Sequence, residues 1–224
     1  MCWLDDFLRG LHEALYVQMH SFTTRFLGAF LLFLPPGMQT PKQLFLFVGR
    51  PVSGKETQGR LLAEKLNAPL FKTGDRFRKL IASQSSLGKK IEADYSSGKL
   101  MPAWFAVYLF QDFLFNLPND QQAVFEGTGR APEEAELFEK VTTWLERPYK
   151  VFNLIVSPEV VMERSHIRKR DAADDAQSVQ TRLAEYEKLT APAIAYFHSL
   201  GKAVDIDGTQ SIEDIHREVL SHST

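Results

Sequence analysis

Gly49, Gly54 and Lys55 stand in the spacing G-x-x-x-x-G-K within GRPVSGKETQGR, residues 49–60. That spacing suits a phosphate group. Backbone N–H groups around Val52 to Lys55 would converge on phosphate oxygens, and a helix opening there adds partial positive charge. The Lys55 ammonium would reach the β- and γ-phosphates of a nucleotide. One residue is out of place: Glu56 stands where the general pattern puts a serine or threonine to hold magnesium. The net charge of -2 gives no global attraction to nucleic acid or to an anionic membrane, so ligand charge must be met locally.

The motif requires a strand running into the loop and a helix leaving it, and the flanking residues supply both. LFLFVG, residues 44–49, reads as a buried strand. A helix over 54–66 follows, with Leu61, Leu62 and Leu66 on its inner face. PLFKTGD gives a short strand and turn, then helical patterns fill 75–83, 86–97 and 102–116. Strands are expected over 122–127, 149–157 and 202–207, and helices over 132–145, 176–188, 190–200 and 210–221. Another helix opens at Ser157 as N-cap with Pro158 in its first turn. Strands alternating with helices imply an α/β fold, a parallel sheet covered on both faces. The stretch 73–102 carries helices without a strand and reads as an inserted lobe, and RKRDAADD, 168–175, is a polar break between helices.

A chain of 224 residues makes one domain with small lobes and needs no staples to bury its core. Its single cysteine, Cys2, excludes a disulfide framework and a multi-cysteine zinc site, in keeping with a reducing cytoplasm. Residues 4–16 read as an amphipathic helix. The apolar run in FLGAFLLFLPPG, 26–37, is about ten residues, against the roughly 20 needed to span a bilayer. From Met19 the segment mimics a secretory signal. The expectation is instead an appendage over 1–37, dispensable for catalysis, ahead of a core that starts at Met38.

GRPVSGKETQ is similar to the loop G-x-P-G-S-G-K-G-T-Q of adenylate kinases and related nucleoside monophosphate kinases. That family has no hydroxyl directly after the lysine and places a threonine one residue later, matched by Thr57. The resemblance runs from residue 44 to about 221. TGDRFRKLIASQSSLGKKIEADYSSGKL, 73–100, resembles the family's monophosphate-binding lobe, and FEGTGRAPEEA, 125–135, resembles D-G-F-P-R-T-x-x-Q-A. ERSHIRKRDAADDAQSVQTRLAEYEKLTAPAIAYF, 163–197, is similar to the lid and the helices after it, and VDIDGTQSIEDIHREV closes the match.

The resemblance implies a P-loop NTPase fold, three-layered α/β/α with five parallel strands, a helical monophosphate lobe (73–102) and a short zinc-free lid (165–177). It implies reversible phosphoryl transfer from ATP to a nucleoside monophosphate, AMP first, by a cytoplasmic monomer. Gly49, Ser53, Gly54, Lys55, Thr57, Arg164 and Gly208 would hold ATP. Thr73, Arg78, Met101, Gly127, Arg130 and Glu134 would hold the acceptor. Lys55, Arg130, Arg168, Arg170 and Arg182 would act on the transferring group, and Glu126 would reach Mg2+ through water. Asp174 and Asp175 either pair with lid arginines or sit at a helix N-terminus.

Four departures from the family pattern matter. Val52 replaces a glycine, and a β-branched residue resists positive φ, which implies a stiffer or reshaped loop. Glu56 is expected to swing away from the phosphates, the alternative being a part in holding magnesium. Thr128 and Gly129 replace Phe and Pro, implying a looser turn before Arg130. Glu134 replaces the glutamine that reads adenine, and a carboxylate accepts but does not donate, which suits guanine. A GMP kinase is therefore the rival enzyme, and a non-catalytic nucleotide-binding module the rival of another class.

Overall fold

The computed structural model describes residues 42–97, 99–168 and 176–223. The segment 1–37, Arg170, Asp174 and Asp175 lie outside them, as does the Arg168 side chain. The sheet is built around β1 (Leu44–Gly49), every residue of which is buried. Such a strand is apolar throughout because both faces are covered. Leu44, Leu46 and Val48 enter one core and Phe45 and Phe47 the other, as a period of two requires.

The expected five-stranded parallel sheet is present. Its strands are β1, β2 (Leu70–Lys72), β3 (Ala123–Glu126), β4 (Tyr149–Ile155) and β5 (Ala203–Asp207), in the order β2-β3-β1-β4-β5. Pairing places Phe47 beside Glu126 and Phe152, and Lys72 beside Glu126. The connection leaving β1 runs to one side of the sheet and that leaving β3 to the other. Loops at these carboxyl ends diverge and leave a crevice, the usual ligand position in such sheets.

Helices cover both faces. One core joins β1, β3 and β4 to α4 (Ala103–Phe115), α5 (Pro132–Trp144) and α8 (Ala191–Ser199). It is rich in aromatic rings, with Phe138 edge-on to both Phe125 and Tyr149. The other face receives α1 (Lys55–Leu66) and α9 (Ile212–Ser221) through Leu62, Ile215 and Val219. The remaining helices are α2 (Thr73–Ala82), α3 (Ser86–Ser96), α6 (Pro158–Arg168) and α7 (Ala176–Glu185). Phe77, Ile91, Met101 and Phe105 form a small core that α2 and α3 share with the start of α4.

The helix ends differ little from expectation. The break expected near residue 189 is instead a π-helical turn, Tyr186–Thr190, joining α7 to α8. Pro192 has no N–H for an i→i−4 bond, and the ladder widens so that Ala191 N–H bonds the Tyr186 carbonyl five residues back. No helix among the described residues is long and apolar enough to cross a membrane.

Candidate active site

The loop after β1 is shaped by backbone space. Gly49 has φ +134, and a Cβ there would lie 2.4 Å from the Leu154 carbonyl oxygen, so only glycine fits. Val52 has φ 49, the left-handed region that the expectation held it would resist. The valine accepts this strained conformation, at a cost of about 1–2 kcal/mol, while its side chain packs toward Val156, Val161 and Val179. Ser53 is buried, and its Oγ has no hydrogen-bond partner among the described residues. A buried unpaired hydroxyl in a phosphate loop is what an absent oxyanion ligand would leave.

Lys55 opens α1, and its Nζ donates to the Arg50 carbonyl at 2.8 Å. Burial lowers its pKa to about 8. Glu126 opposes that shift, Arg130 and Arg182 reinforce it, and Glu56 opposes it. The ammonium faces a cavity of about 550 Å³ at the carboxyl ends of β1 and β3. Arg78 comes to its wall from α2, Arg130 from the β3–α5 turn, Arg164 from α6 and Arg182 from α7. Opposing carboxylates on the wall are Glu56 and Glu126, outnumbered by the cations around them. Clustered like charges destabilise one another, and the cavity therefore suits a polyanion.

Of the residues expected at the site, Ser53, Gly54, Lys55, Thr57, Arg78, Glu126, Gly127, Arg130, Arg164 and Arg182 line this cavity. Gly49, Thr73, Met101, Glu134 and Gly208 do not, each for a visible reason. Gly49 is the close-packed strand end. Thr73 is buried with its Oγ1 3.3 Å from that of Thr128, and Gly74 lines the wall instead. Met101 lies in the core of the lobe. Gly208 acts through its carbonyl, which accepts from Arg164 Nη2 at 2.9 Å, while Nη1 of the same arginine bonds the Val52 carbonyl at 3.4 Å.

Three expectations need correction. Glu56, expected to swing away from the phosphates, is instead on the cavity wall, and its carboxylate lies 2.6 Å from Lys72 Nζ. The turn before Arg130 is not loose, because Thr128 is buried against Thr73 and the Arg130 N–H donates to Glu134 Oε2 at 3.0 Å. Glu134 is thereby occupied in tying down its own turn, away from the cavity wall. Its pKa is raised to about 7 by burial, against the lowering effect of the Arg130 and Gly129 N–H groups and the Arg130 charge.

Other residues at the site had no signal in the local pattern. Arg50 bonds the Val156 carbonyl at 2.8 Å and Glu187 at 2.6 Å, and lies over the Tyr186 ring, tying the loop to the π-helical turn. Lys72, Arg60 and Tyr95 also line the cavity.

The adenylate kinase family model matches residues 47–202, which takes in the phosphate loop, helices α2 and α3 and the five arginines among the described residues that reach the cavity wall, Arg60, Arg78, Arg130, Arg164 and Arg182. The chain belongs to the adenylate kinase family. It is 33% identical over 181 residues to an adenylate kinase of Cyanothece sp., covering 79% of this chain and 92% of that protein. With an adenylate kinase of Corynebacterium urealyticum the identity is 34% over 178 residues, 78% of this chain and 96% of the relative.

The Lys55 shift has a consequence for pH. A lysine titrating near 8 loses its charge as pH rises through that value, so a phosphate in the cavity would meet the charged form only below it. The kcat/KM for ATP, which reports the free enzyme, is expected to fall above pH about 8, whereas kcat should fall only at higher pH. Bound phosphates would stabilise the ammonium, which is the reason for the expected difference. A kcat/KM flat to pH 10 would show that another group sets the affinity.

Proposed function

We propose that this chain catalyses reversible phosphoryl transfer from ATP to AMP, ATP + AMP ⇌ 2 ADP, as a cytoplasmic monomer. The observation that carries this is the convergence of Lys55 with four arginines from four separate elements on one cavity. Phosphoryl transfer asks little covalent help from protein. It asks for alignment of donor and acceptor, positive charge on the transferring oxygens and exclusion of water. Arg78 and Arg130, from the lobe side and the β3–α5 turn, would fix the acceptor phosphate. Arg182, with Arg168 and Arg170 of the short lid, would close over the transferring group. Closure suppresses hydrolysis, because water is the competing acceptor.

Magnesium would enter with the nucleotide. Among the described residues no three His, Cys, Asp or Glu side chains gather as a metal site. The donor set suits an ion held mainly by phosphate and water oxygens, with the Glu126 carboxylate on the wall as a water-bound neighbour. Such an ion would supply charge neutralisation on the phosphates.

AMP is preferred to GMP as acceptor because the reason for guanine has gone. That reason was a carboxylate at the base, and Glu134 has turned to the Arg130 N–H. Glu134→Gln is accordingly expected to leave the AMP-to-GMP ratio of kcat/KM unchanged, and a shift of tenfold toward AMP would return Glu134 to the base. The same substitution should change the pH dependence of stability. The folded pKa of about 7 lies above the unfolded value near 4.5. Between those values the folded state keeps a proton that the unfolded state has lost, so stability falls as pH rises from about 4.5 to 7. Glutamine does not titrate, and the variant should gain about 1–3 kcal/mol relative to the native protein between pH 5 and pH 8. The activity itself is tested by a coupled assay with ATP and each monophosphate, in which AMP should be turned over fastest. Absence of transfer to any monophosphate would leave the nucleotide-binding module.

A further inference from the structure

Glu56 is the acid that the loop pattern does not explain. It is the second residue of α1, on the wall of a cavity built for phosphates, and it is half-buried. The positive end of α1 favours a carboxylate there, but a bare carboxylate would also repel an incoming polyphosphate. Lys72 ends β2, and its Nζ lies 2.6 Å from Glu56 and 3.2 Å from Asp75 of α2. Asp75 in turn pairs with Arg78, whose Nη1 donates to the Tyr95 hydroxyl of α3 at 2.7 Å. The side chains of Lys72 and Glu56 are only 19% and 33% exposed, so water screens the pair incompletely. A run of charges therefore crosses from the phosphate-loop helix into the lobe along the cavity wall.

We propose that Lys72 is a positioning residue that neutralises Glu56 and braces the phosphate-loop helix against the acceptor lobe. Nucleotide affinity then depends on the pair being balanced rather than on either charge alone. The proposal rests on the nucleotide-binding reading above. Lys72 sits where it could instead touch a phosphate directly, and the two roles predict opposite results in a double-mutant cycle. If Lys72 serves to balance Glu56, removing both charges repairs the damage of removing the lysine. If Lys72 grips phosphate, removing Glu56 as well repairs little.

The experiment is equilibrium titration of the full chain with ATP in the absence of acceptor, with melting temperatures read alongside. Lys72→Met is expected to weaken ATP by about tenfold, and Lys72→Met with Glu56→Gln to return within about threefold of the native protein. A double variant as weak as Lys72→Met, or a Lys72→Met that binds like the native protein, overturns the proposal. Glu56→Gln, which keeps the lysine, gives a second reading should Lys72→Met fail to fold. It is expected to bind ATP at least as tightly as the native chain, and a tenfold loss would make Glu56 a ligand-binding group and overturn the proposal. Failure of the native protein itself to bind ATP would overturn the nucleotide-binding reading instead, a result distinct from all of these.

Discussion

Lys55→Ala and Arg130→Ala are each expected to lower turnover by about a thousandfold or more while hardly moving the melting temperature. The first half follows from the chemistry. In phosphoryl transfer the cations that meet the transferring oxygens supply most of the stabilisation, and single charged groups of this kind contribute about 10²- to 10⁵-fold. The second half follows from the packing of the two side chains. Neither side chain belongs to the apolar cores. Burial lowers the Lys55 pKa, and Arg130 is among the charges that push it down. At neutral pH the fold therefore works against the Lys55 ammonium. That penalty is fully present below pH about 8 and is relieved as pH rises toward the unfolded value of 10.5. Removing either charge eases the repulsion between Lys55 and Arg130, and for Lys55→Ala this offsets the loss of the bond to the Arg50 carbonyl. The test is kcat at saturating ATP and AMP beside a thermal scan. Near-native turnover in either variant would remove that residue from the reaction, and a large fall in melting temperature would make its role structural.

The parts of this site that were legible in the sequence are those whose signal is local. G-x-x-x-x-G-K after an apolar run specifies strand, loop and helix together, and β1 and α1 form where that pattern puts them. The strand-helix alternation likewise gave the parallel sheet. What was not legible depends on where the far end of a side chain goes. Nothing near Glu56 signals that its partner is Lys72, because the pair forms only when β2 takes its place at the sheet edge. Glu134 stands in the family's base-reading place, yet it satisfies a backbone donor four residues back. Val52 shows a different limit. Propensity argues against positive φ for a valine, but Gly49 is held against the Leu154 carbonyl and the Val52 side chain packs with Val156, Val161 and Val179. Conformational preference near 1–2 kcal/mol is readily overridden by tertiary packing.

Arg147 is the residue that neither motif nor periodicity picks out, and Arg147→Met is expected to be among the most destabilising single changes in the described core. Helix α5 ends in a left-handed turn at Glu146, φ 55, closed by Arg147 N–H to the Thr142 carbonyl at 2.8 Å. That closure sends the Arg147 side chain under the loop between α4 and β3, where it is only 2% exposed. Its guanidinium donates to the carbonyls of Leu117, Pro118, Asn119 and Gln121, at 3.4, 2.7, 3.2 and 2.7 Å. The loop has few backbone bonds of its own, among them Lys42 N–H to the Asn119 carbonyl and Gln121 N–H to the Pro118 carbonyl, so the arginine does much to fix how it enters β3. Methionine fills much of the volume but donates nothing, so the Leu117 and Gln121 carbonyls lose the arginine's bonds at about 1–3 kcal/mol each, while those of Pro118 and Asn119 keep backbone donors. Part of that loss is offset, because burial disfavours the guanidinium charge and lowers its pKa. A net loss of about 3 kcal/mol is expected, or a fall of roughly 6–12 °C in melting temperature for a domain of this size. Arg147→Lys should recover only part of it, since one ammonium cannot span the four acceptors that the planar fork reaches. Turnover per folded molecule should be unaffected, because this loop meets β3 at its amino end while the cavity lies at the carboxyl ends of the strands. A fall of less than about 2 °C would show that water serves these carbonyls as well as the arginine does, and would make Arg147 a solvated side chain in effect.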